Sequence, residues 1–393
     1  MTQIEQGPQV GRRYPPEMTE STDDETGATV RKLTDSRGHD HHLYFTNPGW
    51  YDNGQKLLFS SDRTRRPNLY SIDLETWQLT QLTDLPPLLT EDVRGSYSFP
   101  FLPTSVNPTR PEAYFWYEEL LVAIDLDSLL LRVLWEKPDD FDASMTNVTA
   151  DGEYVCTSLT QRPDVRREAG YGGFEETWAA QPLSRVIEVA VGGDGATTLH
   201  EEESWIGHVN TSPDRPELLT FCHEGPWERV DNRIWGLNRE TGETWPIRER
   251  RVDDERVGHE FWLADGETIG YHGADADGNP TFGFTRYDNS EQMETNIAPN
   301  SWHFHAVNRS LVVGDGNTDS PYVFLYTFDG STYESYRLSR HRGSWHTQNL
   351  HVHARFSPDG EQVLYTSDHL GYGDVYLADV PDNIAKLPQA NVE

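Results

Sequence analysis

Cysteine, lysine and long apolar runs are all scarce in this chain of 393 residues. Cysteine occurs only at Cys156 and Cys222, too few for a secreted disulfide scaffold, so we expect two buried free thiols in a reduced compartment. No apolar run reaches the roughly 18 residues that a membrane-spanning helix needs. The N-terminus also lacks the apolar segment of a secretory signal. These absences predict a cytoplasmic protein without a membrane partner.

Positive charge is scarce as well. Lysine and arginine together number 32 against 65 aspartates and glutamates, which gives a formal net charge of −33. Only four of the basic residues are lysines. Nucleic acid is therefore an unlikely ligand, because phosphate binding requires a local excess of cations. The acid excess predicts a strongly solvated surface and a halophilic host, whose salt-rich cytoplasm would screen the self-repulsion.

What the chain does have is internal repetition. Residues 49–84 contain a turn, an apolar strand, a polar loop and further strands, and residues 351–380 repeat this order. Similar segments begin near residues 97, 145, 206, 257 and 302, which makes seven units spaced by roughly 40 to 60 residues. Short alternating apolar runs with Asp-Gly and Asn-Gly turns are typical of antiparallel β-meanders. The pattern predicts an all-β fold, a seven-bladed β-propeller.

The ends of the repeat region predict how the ring closes. The last unit shows only three clear strands, and residues 29–35 (TVRKLTD) resemble the fourth strand of the first unit. We expect this N-terminal strand to complete the last blade, which would leave no open edge. The predicted domains are a disordered acidic lead-in over residues 1–25 and one catalytic propeller domain over 26–385. Residues 160–184 are predicted to be an insertion with a short helix or lid.

Histidine recurs at one position of the repeat. In three units a histidine precedes a turn aspartate by six residues: His208/Asp214, His259/Asp265 and His353/Asp359. A fourth unit contains His303 and His305, and the last contains both His351 and His353. If inner strands line one channel, the histidines expected at its mouth are His208, His259, His303, His351 and His353. Such a ring would be a metal or catalytic site; the alternative is that each histidine only hydrogen-bonds a neighbouring strand.

Four segments resemble a known family. They are HEGPW…VDNRIW (223–235), GHEFWLADG (258–266), SLVVGDG (310–316) and QNLHVHARFSPDG (348–360). These look like oligogalacturonate lyases, the intracellular pectin-degrading enzymes of polysaccharide lyase family 22. The resemblance extends from about residue 29 to residue 381. It implies a seven-bladed propeller with a divalent cation, Mn²⁺ first among the choices, whose ligands would be His303, Gln348, His351 and His353.

The resemblance also implies roles for other residues. His259 would be the base, and Arg233 would bind a substrate carboxylate, unless it forms only an interstrand salt bridge. His208, His223 and His41 are second choices as sugar contacts or as the acid for the leaving group. The choice of His303 over His305 as ligand stays open. Trp227 departs from the family pattern, which has histidine there, and this departure affects a sugar subsite or a contact behind one.

The implied reaction is β-elimination on short oligogalacturonides. The cation would bind the uronate carboxylate, and a neutral His259 would remove the C5 proton. Two alternatives remain open. One is a lyase for another uronide, and the other is a non-enzymatic propeller of the TolB or WD type that binds a protein partner. The sequence does not indicate an oligomeric state.

Overall fold

The computed structural model describes residues 4–86, 102–165, 172–193 and 195–390, and nearly all of its regular structure is β-strand. The described residues contain seven antiparallel sheets. They divide into two compact units: unit 1 contains residues 102–294 together with 4–5, and unit 2 contains residues 6–86 and 295–390. No helix in the described ranges is long and apolar enough to cross a membrane.

The N-terminal part of unit 2 supplies eight strands. In chain order they are β1 (Arg13–Tyr14), β2 (Thr19–Thr22), β3 (Thr29–Lys32), β4 (Asp40–His42), β5 (Trp50–Tyr51), β6 (Lys56–Ser61), β7 (Asn68–Asp73) and β8 (Leu79–Gln81). Six of them form one sheet in the order β1-β8-β7-β6-β4, with β5 paired to β6. The other two, β2 and β3, belong to the last sheet of the chain.

Unit 1 contains four sheets that follow one another along the chain. The first is β9 (Thr104–Val106), β10 (Glu112–Tyr117), β11 (Leu120–Asp125) and β12 (Leu131–Glu136). The second is β13 (Phe141–Ala143), β14 (Asn147–Val148), β15 (Tyr154–Gln161), β16 (Leu183–Ala190) and β17 (Ala196–Glu203). The third is β18 (Ile206–Thr211), β19 (Leu218–His223), β20 (Ile234–Asn238) and β21 (Thr244–Ile247). The fourth is β22 (Arg256–Trp262), β23 (Thr268–Ala274), β24 (Pro280–Arg286) and β25 (Met293–Asn296).

The C-terminal part of unit 2 supplies the remaining strands. One sheet is β26 (Phe304–Asn308), β27 (Leu311–Gly314), β28 (Tyr322–Phe328) and β29 (Tyr333–Arg340). The last sheet includes β30 (Arg355–Phe356), β31 (Gln362–Ser367) and β32 (Asp374–Asp379). Two 3-10 turns, Gln348–Leu350 and Ile384–Lys386, flank these three strands.

The last sheet is completed by the N-terminal part of the chain, as the sequence predicts. Its order is β2-β3-β32-β31-β30, and Val30 pairs with Ala378 in the contact between β3 and β32. Arg31 Nη1 also donates a hydrogen bond to Asp379 Oδ1 at 2.6 Å. The N-terminal strand expected within residues 29–35 is therefore confirmed. That the residues from 26 to 385 form one domain stays a prediction.

The expected disorder of residues 1–25 is wrong for the part of that segment that the structure describes. Strand β1 pairs with the outer strand β8, and β2 pairs with β3. Arg63 neutralises part of the negative charge of this segment, since its Nη1 lies 2.9 Å from Glu17 Oε1. Without β1 and β2, the outer edges of β8 and β3 would present unpaired backbone hydrogen-bonding groups. Pairing with these edges orders a polar segment that has no hydrophobic core of its own.

The turn and strand at residues 357–367 show how the repeat folds. Ser357 Oγ accepts the backbone N–H of Gln362 at 3.0 Å, and Gly360 has a positive φ of 76°, which favours glycine. The following strand β31 is buried almost throughout, and Val363 and Leu364 are fully buried. Burial of each such aliphatic side chain stabilises the fold by about 1.5–3 kcal/mol. Turn chemistry and a short apolar run together therefore specify the strand.

The insertion contains the expected short helix. Helix α1 (Phe174–Ala179) lies between β15 and β16. The Phe174 ring lies 5.0 Å from that of Trp205, and a Cβ added to Gly225 would come within 2.2 Å of Trp178. The helix therefore packs against the loop that follows β19. Residues 166–171 of the predicted insertion lie outside the described residues.

Candidate active site

Three buried histidines of unit 2 lie together. Each of His303, His351 and His353 offers a ring nitrogen, and these nitrogens all lie within 4.8 Å of one another. The ring centroids are separated by 4.4 Å for His303 and His353, 5.6 Å for His351 and His353, and 5.7 Å for His303 and His351. Convergent imidazoles from separate segments are a candidate site for a divalent cation.

Asp315 orients this cluster. The pairing of Phe304 with Gly314 brings His303, which precedes β26, beside Asp315, which follows β27. Asp315 Oδ1 accepts the backbone N–H of His303 at 2.8 Å, and Oδ2 lies 2.6 Å from its Nδ1. The backbone N–H of His353 also donates to Oδ2, at 3.3 Å. With Nδ1 of His303 donating to a carboxylate, Nε2 is the ring atom that can bind a cation, the arrangement found in metal-binding histidines.

Gln348 lies beside the same cluster. It begins the 3-10 turn Gln348–Leu350, and its Nε2 lies 3.4 Å from Nε2 of His353. The two ends of an amide are nearly isosteric, so a half-turn of this group would bring the carbonyl oxygen to the position of the nitrogen. Gln348 can therefore offer an oxygen ligand next to His353.

The chemistry of the cluster fits a cation. Burial lowers the pKa of His351 to about 3, and burial together with repulsion from His303 places the pKa of His353 well below its ordinary value. Both rings are therefore neutral near pH 7, as a metal ligand must be. The Nδ1 atom of His351 is buried and has no hydrogen-bond partner in the part of the chain that the structure describes. A buried nitrogen without a partner costs free energy unless a ligand binds it.

The structure groups His303, and not His305, with His351 and His353. Nδ1 of His305 accepts the backbone N–H of Phe356 at 3.3 Å, and the His305 ring lies 6.2 Å from the Phe356 ring. His305 thus has the interstrand role that the sequence analysis considered for single histidines. The assignment of His303 as a ligand follows from this placement and stays a prediction.

The segment around β4 borders the cluster. The ring of Tyr44 lies 4.8 Å from that of His353, and the ring of His42 lies 6.5 Å from it. The predicted sugar contact His41 is buried, and its Nδ1 lies 2.7 Å from the carbonyl oxygen of His42. Burial lowers the pKa of His41 to about 3. His41 therefore lies near the cluster as a neutral, buried ring.

A second group of histidines lies in unit 1. Nδ1 of His259 is 3.0 Å from Nε2 of His272, and the two rings stack with centroids 5.2 Å apart. The pairing of Gly258 with His272 on strands β22 and β23 explains this proximity. The ring of His208 lies 6.4 Å from that of His259 and is nearly parallel to it. His259 has a positive φ of 48°, a conformation that costs a residue other than glycine about 1–3 kcal/mol.

Trp227 packs on the His259–His272 pair. Its ring centroid lies 5.0 Å from that of His259 and 5.5 Å from that of His272, both edge-on. A Cβ added to Gly258 would come within 2.6 Å of the Trp227 ring, so glycine is required there for this approach. The tryptophan that departs from the family pattern therefore contacts the predicted base directly.

Arg233 forms a salt bridge, which was the alternative to its contact with a substrate carboxylate. Its guanidinium is buried, and it donates to both carboxylate oxygens of Glu224 at 3.1 and 2.8 Å and to the His223 carbonyl oxygen at 3.0 Å. Burial would raise the pKa of Glu224, but the charge of Arg233 outweighs it and the pKa falls to about 2. The predicted binding of a substrate carboxylate would require Arg233 to leave Glu224.

Both ring nitrogens of His223 contact carboxylates. Nδ1 lies 2.6 Å from Asp231, and Nε2 lies 2.7 Å from Glu202. Burial alone would lower the pKa of His223, but the hydrogen bonds and charges of these two carboxylates raise it to about 9. His223 is therefore a charged, ion-paired ring, and its predicted role as a sugar contact or leaving-group acid stays a prediction.

The five histidines expected at one channel mouth thus fall into two groups, one within each unit. Unit 2 holds His303, His351 and His353, and unit 1 holds His208 and His259. Sequence reasoning missed Asp315, His272, Tyr44 and Glu260. A signal existed for Asp315, which is the last residue but one of the motif SLVVGDG (310–316); for His272 the signal was its position on the strand after His259.

Comparison with known proteins shows the family. The family model described as oligogalacturonate lyase matches residues 9–384. The chain belongs to the oligogalacturonate lyase family. A curated oligogalacturonide lyase from Pectobacterium atrosepticum is 28% identical over 95% of this chain and 99% of its own length. An oligogalacturonate lyase from Dickeya dadantii is 28% identical over 92% of this chain and 96% of its own length.

Solved structures agree with this family. A structure described as oligogalacturonate lyase in complex with manganese has a TM-score of 0.85 and 26% identity, over 96% of this chain and 99% of that one. An oligogalacturonate lyase from Vibrio parahaemolyticus has a TM-score of 0.83 and 26% identity, over 95% of this chain and 100% of that one. The likeness confirms the predicted fold class, an all-β, seven-bladed β-propeller, and the family inferred from the sequence motifs.

Proposed function

We propose that this chain is an oligogalacturonate lyase that cleaves short galacturonides by β-elimination. The observation that carries the proposal is the buried group of His303, His351 and His353, in which Nδ1 of His351 has no hydrogen-bond partner among the described residues. The family supports the reaction class, since both curated relatives are named for this activity.

The cation in this proposal is Mn²⁺, held by His303, His351, His353 and the Gln348 side chain. The solved relative described with manganese supports this choice. Imidazole nitrogen and amide oxygen are ligands that Mn²⁺ accepts. When bound, the ion would supply positive charge for a uronate carboxylate and for the negative charge that develops as C5 loses its proton. The contacts of Asp315 with His303 would keep the ring in the required tautomer.

His259 is proposed to accept the C5 proton of the uronide. With the proton of the 3.0 Å contact on Nδ1 of His259, its lone pair lies on Nε2, and His272 fixes the ring. The electrons of the C5–H bond form the C4–C5 double bond, the C4–O bond breaks, and the departing oxygen takes up a proton. Trp227 restricts the ring further from its edge-on position.

Trp302 is proposed to bind a sugar ring. It is 38% exposed and is one of the few large apolar side chains exposed among the described residues. Its ring lies 5.4 Å from that of His351, which it meets edge-on, and 5.4 Å from that of Trp345. Aromatic faces bind the apolar faces of ligands while polar groups beside them fix orientation. Trp302 would thus hold a sugar next to the His351 cluster.

The proposed compartment is a salt-rich cytoplasm. The net charge of −33 and the presence of only four lysines support this proposal, because salt screens repulsion between exposed carboxylates. The measurement is the thermal unfolding midpoint from low to molar KCl. We expect a steep rise; a midpoint that falls or stays level would contradict the proposal.

Incubation of the manganese-loaded chain with digalacturonate tests the activity. We expect rising ultraviolet absorbance from a C4–C5 double bond conjugated with the carboxylate, together with unsaturated monosaccharide. Parallel reactions with short guluronides and mannuronides test substrate identity, and cleavage of these alone would favour a lyase for another uronide. An ion-loaded chain that cleaves none of them would favour the non-enzymatic alternative.

A further inference from the structure

A second group of metal-binding side chains lies in unit 1. One ligand atom from each of His208, Cys222 and Glu260 lies within 4.8 Å of the other two. The three residues come from strands β18, β19 and β22, which belong to two different sheets. Cys222 and Glu260 are fully buried, and the His208 side chain is 12% exposed. The group is thus enclosed within the protein and combines one sulfur, one nitrogen and one carboxylate.

Glu260 is the anomaly in this group. Both of its carboxylate oxygens are buried, and neither accepts a hydrogen bond from any other residue that the structure describes. Burial of a carboxylate without hydrogen bonds is unfavourable, and such groups are normally paired or bound to a metal ion. Burial also raises the pKa of Glu260 to about 7. Within the described part of the chain, the fold therefore retains an acidic group whose hydrogen-bonding capacity no neighbouring residue satisfies.

The nearby arginine does not remove this anomaly. Arg233 makes two hydrogen bonds with Glu224, so its charge is already matched by another carboxylate. Glu224 Oε1 also lies 3.5 Å from the Cys222 sulfur. Of the charged groups around the cluster, Arg233 and Glu224 therefore cancel. The remaining groups are one thiol, one imidazole and one carboxyl, which suit a divalent cation: a thiolate and a carboxylate together carry two negative charges.

We propose that His208, Cys222 and Glu260 form a second metal site that binds one zinc-like divalent cation. Zn²⁺ binds sulfur at about 2.3 Å and nitrogen or oxygen at about 2.0–2.2 Å in a tetrahedral arrangement, so two of its ligand atoms lie about 3.3–3.7 Å apart. The three ligand atoms lie within 4.8 Å of one another, so binding requires them to move together by up to about 1.5 Å, a shift within reach of side-chain rotation. Binding releases the thiol proton of Cys222, together with any proton on the Glu260 carboxyl, to solvent, and the thiolate, carboxylate and cation then sum to zero charge.

The proposed site differs in metal preference from the histidine group of unit 2. A thiolate ligand favours Zn²⁺, Co²⁺ or Cd²⁺ over Mn²⁺, whereas imidazole and amide oxygen accept Mn²⁺. Because it is buried, the role of the site is structural. It joins strands β18 and β19 of one sheet to β22 of the next, and its ligand Glu260 directly follows His259. The bound ion would fix the backbone that positions His259.

Cobalt spectroscopy on the whole chain tests the proposal without any use of activity. A Co²⁺–thiolate bond gives a sulfur-to-cobalt charge-transfer band in the near ultraviolet, and the histidine group of unit 2 contains no sulfur. We expect the intensity of the band to saturate when one Co²⁺ per chain has bound at Cys222. It should be lost in Cys222→Ser and retained in Cys156→Ser, the matched control at the other buried cysteine. A wild-type chain that binds Co²⁺ without the band, or a band that depends on Cys156, would overturn the proposal.

Glu260→Gln provides a second measurement that preserves size. We expect the folded variant to keep the cobalt band but to bind Zn²⁺ at least about tenfold more weakly, since the loss of one ligand charge weakens a divalent site. Thermal shifts of the wild type should be larger with Zn²⁺ than with Mn²⁺ once the unit 2 site is saturated with Mn²⁺. Equal Zn²⁺ affinity in Glu260→Gln and wild type would count against a carboxylate ligand and overturn the three-residue site.

Discussion

The two histidine groups place the same residue type in different surroundings. In unit 2, His351 and His353 are buried among other imidazoles, and burial lowers their pKa. In unit 1, His259 pairs with another imidazole, and a thiol and two carboxylates lie close to the neighbouring His208. His259 and His353 have nearly the same positive φ, 48° and 49°. The repeat thus places both backbones alike, and the neighbouring strands decide which chemistry each ring can perform.

Removal of the unit 2 ligands should have the largest effect. We expect His351→Ala with His353→Ala to lose the divalent ion, and activity to fall by about 10³-fold or more, because the positive charge that binds the carboxylate and stabilises the developing negative charge is lost. Metal content by elemental analysis and initial rates measure this. His346→Ala, at an exposed position of the same segment, is the control. An active, metal-bound double variant would show that the ion binds elsewhere.

His259→Ala should distinguish the role of His259 in unit 1 from that of the metal ligands in unit 2. Loss of a general base lowers turnover by about 10²–10⁴-fold, while the Mn²⁺ content should stay at the wild-type level because the ligands belong to unit 2. Turnover numbers and metal content measured on one preparation decide this. If the variant lost its Mn²⁺ along with turnover, the division of roles between the groups would be wrong.

Asp315→Asn should have a smaller effect on the same metal. The amide keeps the shape of the carboxylate but loses its charge, so the Nδ1 proton of His303 is held less firmly. We expect Mn²⁺ affinity to fall by about 10–100-fold, as for other groups behind metal-binding histidines. Titration with Mn²⁺, followed by activity and by calorimetry, measures this affinity. Asp319→Asn, at an exposed position nearby, should behave as wild type; equal affinities in all three proteins would contradict the role of Asp315.

Trp302→Ala should affect binding more than chemistry. We expect the KM for digalacturonate to rise several-fold, by about 1–2 kcal/mol of lost ring contact, with kcat and Mn²⁺ content little changed. Leu370→Ala, a change at another exposed apolar side chain, controls for general surface effects. A lower kcat with unchanged KM would instead indicate that Trp302 acts on the His351 cluster.

The smallest effect concerns His223 and the pH dependence of stability. Its pKa is raised from an ordinary 6.5 to about 9 in the folded state. Its contribution is therefore complete below about pH 6.5 and is lost as the pH rises through about 9. We expect His223→Gln to flatten the fall in unfolding free energy over this window, as measured by urea denaturation at several pH values. An unchanged slope would show that Asp231 and Glu202 do not stabilise the charged ring.

The fold was predictable because its units recur along the sequence. Part of the site was not, because it depends on how the strands pair. The seven units and the strand at 29–32 follow from alternating apolar residues and turn motifs that recur along the chain. The ordered β2 was missed because Thr19–Thr22 is exposed and polar, and only pairing with β3 orders it. His303, His351 and His353 were predictable because they stand near repeated turns.

The partners of those histidines depend on register. His272 lies opposite Gly258, and Asp315 lies beside His303, through antiparallel pairings that a one-residue slip would change. The unpartnered state of Glu260 depends on burial between two sheets, and no local pattern encodes it. The salt bridge of Arg233 with Glu224 likewise depends on how two strand ends meet.

The sheet shared by the two ends of the chain has a consequence for synthesis. Arg31 and Asp379, which hydrogen-bond across β3 and β32, are 348 residues apart. On the ribosome, β3 emerges long before β32 is made, so the edge of β3 that pairs with β32 stays unpaired through nearly the whole of translation. In stalled or prematurely terminated products this edge would remain exposed, and exposed strand edges promote aggregation. Protein quality control could then distinguish finished from unfinished chains by this one sheet.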